Sequence, residues 1–344
     1  MWVWGVGFVA ASWGQTPGEL EVLDDILLEA GACTHAYMVN GAGAPTVAYD
    51  PGQERYMMVF EVQLAEPDPI CPVGRWGLGL ATSDDGVSWE VEPSPIVEPE
   101  AGTYYSCVAA HPSAVFREGR DALHVFFKSE RGEGECSEGE ELCSRYTGVG
   151  RARLLFDEDG LVSGEVNVAA EPVLPLNEDM GYPRFVRQGG VNYLMFTQRP
   201  DVWLASSTDV DHFEVMDEPA LTVGGSPSLW AGDELFNGAL TCSSSEEFPL
   251  QAWVGGRNFE GEVATSGGMG RALASSASSW FLGLEPVLEW GETGDWRHWD
   301  VLRVGAEDYL VYFSERDPSG HPRIRLATTN ADWDDAEVYS KVCP

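Results

Sequence analysis

The sequence predicts an all-β fold, a five-bladed β-propeller built from four-stranded antiparallel blades. Three observations predict it. Three strand-like segments recur five times in the same order along the 344 residues. Glycine and proline, 39 and 21 in number, punctuate the chain between those segments, and few runs of helix formers intervene. A small antiparallel sheet repeated in this way cannot bury both of its faces alone, so consecutive copies must stack around an axis.

The first recurring segment is an inner-strand entry: GAPTVAYD at 43–50, AHPSAVFRE at 110–118, GYPRFVRQ at 181–188, NGALTCSS at 237–244 and HWDVLRVG at 298–305. The second is rich in aromatics: RYMMVFEV at 55–62, ALHVFFKSER at 122–131, NYLMFTQR at 192–199, LQAWVGGR at 250–257 and DYLVYFSER at 308–316. The third carries alanine before a polar turn, as in GLGLATSDDGVSW at 77–89 and IRLATTNADW at 324–333. The segment EVLDDILLEAGA at 21–32 has the character of an outer strand. One terminus is therefore expected to complete the blade begun by the other and close the ring.

The formal charge of −36, from 56 acidic and 20 basic residues, opposes binding to a nucleic acid or an anionic membrane face. The acidic residues alternate with aromatic and β-branched segments, which marks a solvated surface and not a disordered tail. Residues 2–12 form an apolar run too short to span a bilayer, so no membrane insertion is expected. The run resembles the later part of a secretory signal. Residues 1–19 are accordingly assigned to an export signal remnant or a disordered N-terminus, and 20–344 to one propeller domain. An extracellular or periplasmic monomer is expected. The seven cysteines include Cys136 and Cys143 in one polar loop and Cys33 and Cys343 near the ends. A disulfide between Cys136 and Cys143 is favoured over zinc, since CxxC spacing is missing and that loop has no histidine. Cys33 with Cys343 is a second candidate pair that would lock ring closure.

The fivefold recurrence, with LATSDDGVSW at 80–89 as its clearest copy, resembles the arabinanase, xylosidase, invertase and levansucrase superfamily of five-bladed glycoside hydrolases. The resemblance covers roughly residues 20 to 342. It implies a catalytic aspartate at the first blade's entry, with further carboxylates from later blades near the channel mouth. This chain has Ala44-Pro45 at that entry, so the family's usual base is missing. Later entries carry His111-Pro112, Tyr182-Pro183, Asn237-Gly238 and His298-Trp299-Asp300.

Because neighbouring strands are antiparallel, the ends of the second strands share a face with the inner-strand entries. His111, Tyr182, Arg184, Asn237, His298 and Asp300 are thus expected around one opening with Glu61, Glu130, Arg131, Arg199, Arg257, Glu315 and Arg316. Glycoside hydrolysis needs two carboxyl groups about 5 to 9.5 Å apart. Asp300, as base or nucleophile, is paired with Glu130 or Glu315 as acid; the alternative is that these carboxylates only neutralise neighbouring arginines. His111, Tyr182, Arg184, Arg199, Arg257, His298 and Trp299 are the expected substrate contacts, with Trp230 and Trp296 as further stacking candidates. Arg131, Arg199, Arg257 and Arg316 recur at one position, either bridging to the next blade or lining a site for an anionic ligand. No cofactor is expected and no metal ligands are assigned. The expected partner is a glycan or another small polar ligand, bound by a hydrolase or by a non-catalytic propeller.

Overall fold

The computed structural model describes residues 20–30, 35–116, 122–132, 147–156, 162–176, 180–224, 229–260, 263–289, 297–305, 308–330, 338 and 341–343, some of them by backbone alone. Most of the described strands form five antiparallel units, with a parallel pairing of Trp76 to Val108 between the first two and of Val342–Cys343 to the inner strand of the third. Blade 1 comprises Gly43–Asp50, Arg55–Ala65, Arg75–Ser83 and Glu90–Val91; blade 2 comprises Val108–Phe116, Ala122–Glu130, Thr147–Phe156 and Val162–Val168. Blade 3 comprises Met180–Gln188, Val191–Gln198, Asp201–Ser207 and Glu214–Val215; blade 4 comprises Glu234–Cys242, Leu250–Glu260, Val263–Ser276 and Ser279–Leu282. Blade 5 takes Arg297–Val304, Asp308–Arg316 and Pro322–Thr328 from the end of the chain and Glu21–Leu28 from its beginning. That N-terminal strand lies antiparallel to Pro322–Thr328. The ring is therefore closed by backbone hydrogen bonds, as the sequence reading expects.

Blade stacking explains why the second strands are apolar on both faces. In blade 1, Met57 and Val59 pack towards blade 2, while Met58, Phe60 and Val62 pack towards blade 5. Each interface between neighbouring blades holds a hydrophobic core, with a smaller cluster around the Cys71–Cys107 bond. Burying large side chains there supplies the main driving force, about 1.5–3 kcal/mol for each. Two glycines make the packing possible. A Cβ on Gly79 would stand 2.4 Å from the Phe60 ring that crosses it, and one on Gly238 would stand 2.0 Å from the Trp299 indole of the next blade.

The inner strands line the axis and are joined by a repeating polar contact. Thr46, Ser113 and Asp300 occupy equivalent positions just after the entries of blades 1, 2 and 5. Each accepts a main-chain N–H from the following blade: Ala114 to Thr46 Oγ1 at 3.1 Å, Phe185 to Ser113 Oγ at 2.9 Å, and Val47 to Asp300 Oδ2 at 2.8 Å. In blade 3 the equivalent residue is Arg184, which donates instead. Its guanidinium reaches the carbonyls of Pro112, Pro183 and Trp299 at 2.8, 3.0 and 3.3 Å, and also that of Gly238. Lys341, brought into the channel ahead of the short strand Val342–Cys343, is ion-paired with Asp300 and donates to Thr46 Oγ1 at 3.2 Å.

One disulfide joins Cys71 to Cys107, tying the loop before the third strand of blade 1 to the start of blade 2. Cys242 is disulfide-bonded as well. Cys33, Cys136, Cys143 and residues 1–19 lie outside the described residues, as do the side chains of Cys343 and Asn237 and all of Trp296. No described helix is long and apolar enough to cross a membrane.

Asp300 and Lys341 are 1% and 4% exposed, so removing one strands the other's charge in the interior. Lys341→Met is expected to destabilise the fold by roughly 3–5 kcal/mol. Urea unfolding should show that the Asp300→Asn/Lys341→Met double variant loses less than the sum of the single changes; additive losses would count against the pair.

Candidate functional site

Each inner strand carries a β-bulge near its start, and in four of the five blades the bulged residue has a side chain. The pairing registers break between Gly43 and Thr46, Ala110 and Ser113, Gly181 and Arg184, Asn237 and Ala239, and Arg297 and Trp299. At four of these bulges the turned residue has left-handed backbone: Ala44 (φ 41°), His111 (49°), Tyr182 (58°) and His298 (46°). None is a glycine, and such a conformation costs on the order of 1 kcal/mol or more per residue. The side chains are held where they are by their surroundings.

Three of the four meet over the channel. The ring centroids of His111 and Tyr182 are 4.6 Å apart, those of His111 and His298 4.6 Å, and those of Tyr182 and His298 5.0 Å. These rings, from blades 2, 3 and 5, cap the axis. Arg184, Asp300 and Trp299 lie beneath, each 1% exposed.

Beside the cap is a cavity of about 480 Å³, lined from blades 1, 2 and 5 by Glu61, Trp76, His111, Glu130, His298 and Glu315 among others. Glu61 lies near the end of the buried stretch of the second strand of blade 1 and is 8% exposed. Its Oε2 accepts the main-chain N–H of His111 at 3.2 Å. The Nδ1 of His111 stands 3.2 Å from the same oxygen but out of hydrogen-bonding alignment. Burial pushes the Glu61 carboxyl up to about 7, against the smaller opposing pull of the His111 N–H, Lys128 and Arg184. Burial, helped by the charges of His298, Lys128 and Arg184, holds His111 well below the usual imidazole range. Glu130 is ion-paired with Lys128 at 2.6 Å. Glu315 accepts from Arg323 Nε at 2.8 Å and also contacts Arg325 at 3.4 Å. The donor atoms of Glu61, His111 and His298 lie within 4.8 Å of one another, close enough to share a cation.

The sequence-predicted residues thus separate into groups. Glu130, Glu315, His111 and His298 share the cavity, and Tyr182 belongs to the cap beside it. Asp300 faces the channel interior, held by Lys341, Thr46 and Val47. Arg184 is spent on main-chain carbonyls. Trp299 packs between blades 4 and 5 against Phe236 and Gly238, with no ring face open to a sugar. Trp230 is likewise core, 8% exposed. Arg199 and Arg257 lie on the far side of the mouth, on blades 3 and 4, and both contact Glu234, at 2.9 and 3.8 Å. Arg316 donates to the Gly320 carbonyl in its own turn. Glu61, expected at the opening from its strand end but not assigned the acid's role, lines the cavity as well. Trp76 and Lys128, which also line the cavity, carry no local signal that separates them from strand core.

A carboxyl raised from 4.5 to about 7 binds a proton on folding. Its contribution is fully favourable below pH 4.5 and is lost as pH rises through about 7. Wild-type stability should therefore decline relative to Glu61→Gln across that window, by roughly 3 kcal/mol in total. Parallel denaturation curves between pH 4 and 8 test this; a constant difference between the two proteins would refute it.

No family model and no curated protein matches the chain. Solved structures do. A structure from work on glycoside hydrolases in the GH130 family of mannoside phosphorylases, which target β-1,2 mannosidic linkages in Candida mannan, aligns with TM-score 0.66 at 12% identity. The alignment covers 97% of this chain and 99% of that one. A glycosyl hydrolase from Bacteroides ovatus aligns with TM-score 0.65 at 12% identity over 90% of this chain and 93% of its own. The β-1,2-mannobiose phosphorylase of Listeria innocua, in complex with β-1,2-mannobiose, gives TM-score 0.63 at 14% identity over 90% and 96%. At such identities the likeness establishes architecture: the chain has the β-propeller fold of these glycoside hydrolase-like proteins.

Proposed function

We propose that the protein is an extracytoplasmic glycoside hydrolase whose reaction takes place in the cavity beside the ring cap. The observation that carries this reading is Glu61, a carboxyl poised near neutrality by burial in the wall of a cavity that also contains Glu130 and Glu315. A carboxylic acid still protonated near pH 7 can give its proton to the leaving glycosidic oxygen. Glu130, its charge balanced by Lys128, is the second carboxylate, activating water or attacking the anomeric carbon. Trp76 offers an aromatic surface for a sugar ring. Glu315, shared with two arginines, and Asp300, engaged in the channel, are given structural roles. The glycosidase resemblance of the repeat and the carbohydrate ligands of similar folds support a glycan substrate. The Cys71–Cys107 disulfide supports an oxidising compartment.

A second reading rests on one observation. Ala44 stands where the resembling enzymes have their aspartate, and an alanine cannot activate water. The fold would then bind a glycan without turning it over.

Oligosaccharides and aryl glycosides distinguish the readings. For a hydrolase, Glu61→Gln should reduce kcat on natural glycosides by about 100-fold or more. It should cost far less on dinitrophenyl glycosides, whose leaving group needs no proton. Glu130→Gln should impair both. In the wild-type enzyme, activity should fall as pH rises past about 7, and chelators should leave it unchanged. Calorimetric glycan binding with no turnover would select the second reading, and loss of activity to a chelator would make Glu61 a metal ligand instead of the acid.

A further inference from the structure

A second recess, of about 460 Å³, lies between blades 2 and 3 towards the face opposite the mouth. It is bounded by the end of the inner strand of blade 2, the start of the second strand of blade 3 and the turn at 208–211. We propose that this recess binds a small organic anion, a sugar-sized molecule bearing a carboxylate, sulfate or phosphate.

The argument begins with composition. Lysine and arginine make up only 20 of 344 residues, yet Arg151, Arg153 and Arg187 line this one recess together with His124 and Asn192. Strand periodicity places them there. Arg151 and Arg153 alternate with the buried Ala152 and Leu154, so both lie on the face of their strand that is turned towards blade 3. Phe185 and Arg187 share a face of the facing inner strand in the same way. A surface field dominated by 56 carboxylates repels anions, so an anion can be held only where cations are gathered and recessed.

The lining carboxylates among the described residues already have partners. Asp209 Oδ1 accepts the main-chain N–H groups of Asp211 and His212 at 2.8 and 3.0 Å. Asp211 is ion-paired with Arg151. Its side chain is 55% exposed, so it can swing away and yield the guanidinium fork to an incoming oxyanion. Phe116, Phe185 and Val115 provide apolar wall for the body of the ligand.

Calorimetry with glucuronate, glucose 6-phosphate, glucose 6-sulfate, neutral glucose, inorganic sulfate and inorganic phosphate tests the proposal. At least one sugar anion should bind at millimolar concentration or tighter, with glucose at least 10-fold weaker. Arg153→Gln and Arg187→Gln should each weaken binding about 10-fold or more, and Glu61→Gln at the mouth should leave it unchanged. Because loss in an arginine variant could reflect damaged folding, Asp211→Asn provides the opposite sign. It removes an exposed competitor and should tighten binding several-fold. Binding of inorganic ions alone, equal affinity for glucose, or indifference to both the arginine changes and Asp211→Asn would overturn the proposal.

Discussion

The molecule is organised around the polar contacts that join its inner strands. A ring of blades leaves backbone N–H and C=O groups facing a narrow axis, where each must find a partner. Thr46, Ser113 and Asp300 meet this need by accepting an N–H from the next blade, and Arg184 meets it by donating to four carbonyls. The hydrophobic cores between the blades provide most of the attraction, but they leave the blades free to slide. The directional contacts at the axis set the angle and height of each blade relative to its neighbour. They also explain why acidic and basic side chains sit in the most buried part of the protein, where lone charges would be prohibitive.

That scaffold determines what the mouth can do. The axis is filled by Arg184, Asp300 and Lys341 beneath a cap of three rings. The proposed reaction site lies to one side, in the cavity over blades 5, 1 and 2. There, a glutamate from a strand interior meets a bulged histidine of the adjacent blade, and both are perturbed by the same burial. The two sides of the mouth consequently differ: one presents carboxylates and imidazoles, the other presents Arg199 and Arg257 around Glu234.

The architecture was readable because it rests on repetition. Five entries, five aromatic strands and an N-terminal strand in search of a partner specify a closed ring without knowledge of any contact. The choice among mouth residues was less readable. Sequence places His111, His298, Glu130 and Glu315 at the correct end of their strands. It does not show whether a side chain lies above or below the rings. Asp300 and His298 are two residues apart and fall on opposite sides of that boundary, because the bulge at His298 breaks the simple alternation of the strand. Glu61 is placed at the opening by the same strand-end argument, but the burial that singles it out comes from the adjoining blade and leaves no mark in the run MMVFEV. The Cys71–Cys107 bond escaped notice because its partners belong to different blades, and sequence proximity favours local pairs such as Cys136 and Cys143.

The composite nature of blade 5 governs how the protein must be assembled. Arg325 reaches the carbonyl of Leu23, 302 residues away along the chain, so the ring cannot be sealed during synthesis until almost the whole polypeptide has emerged. Until then blades 1 and 4 each display an apolar flank with no neighbour, an arrangement prone to association with other chains. The heavy negative charge gives such unfinished chains a mutual repulsion, and acidity of this kind can protect the nascent protein as well as solvate the mature one.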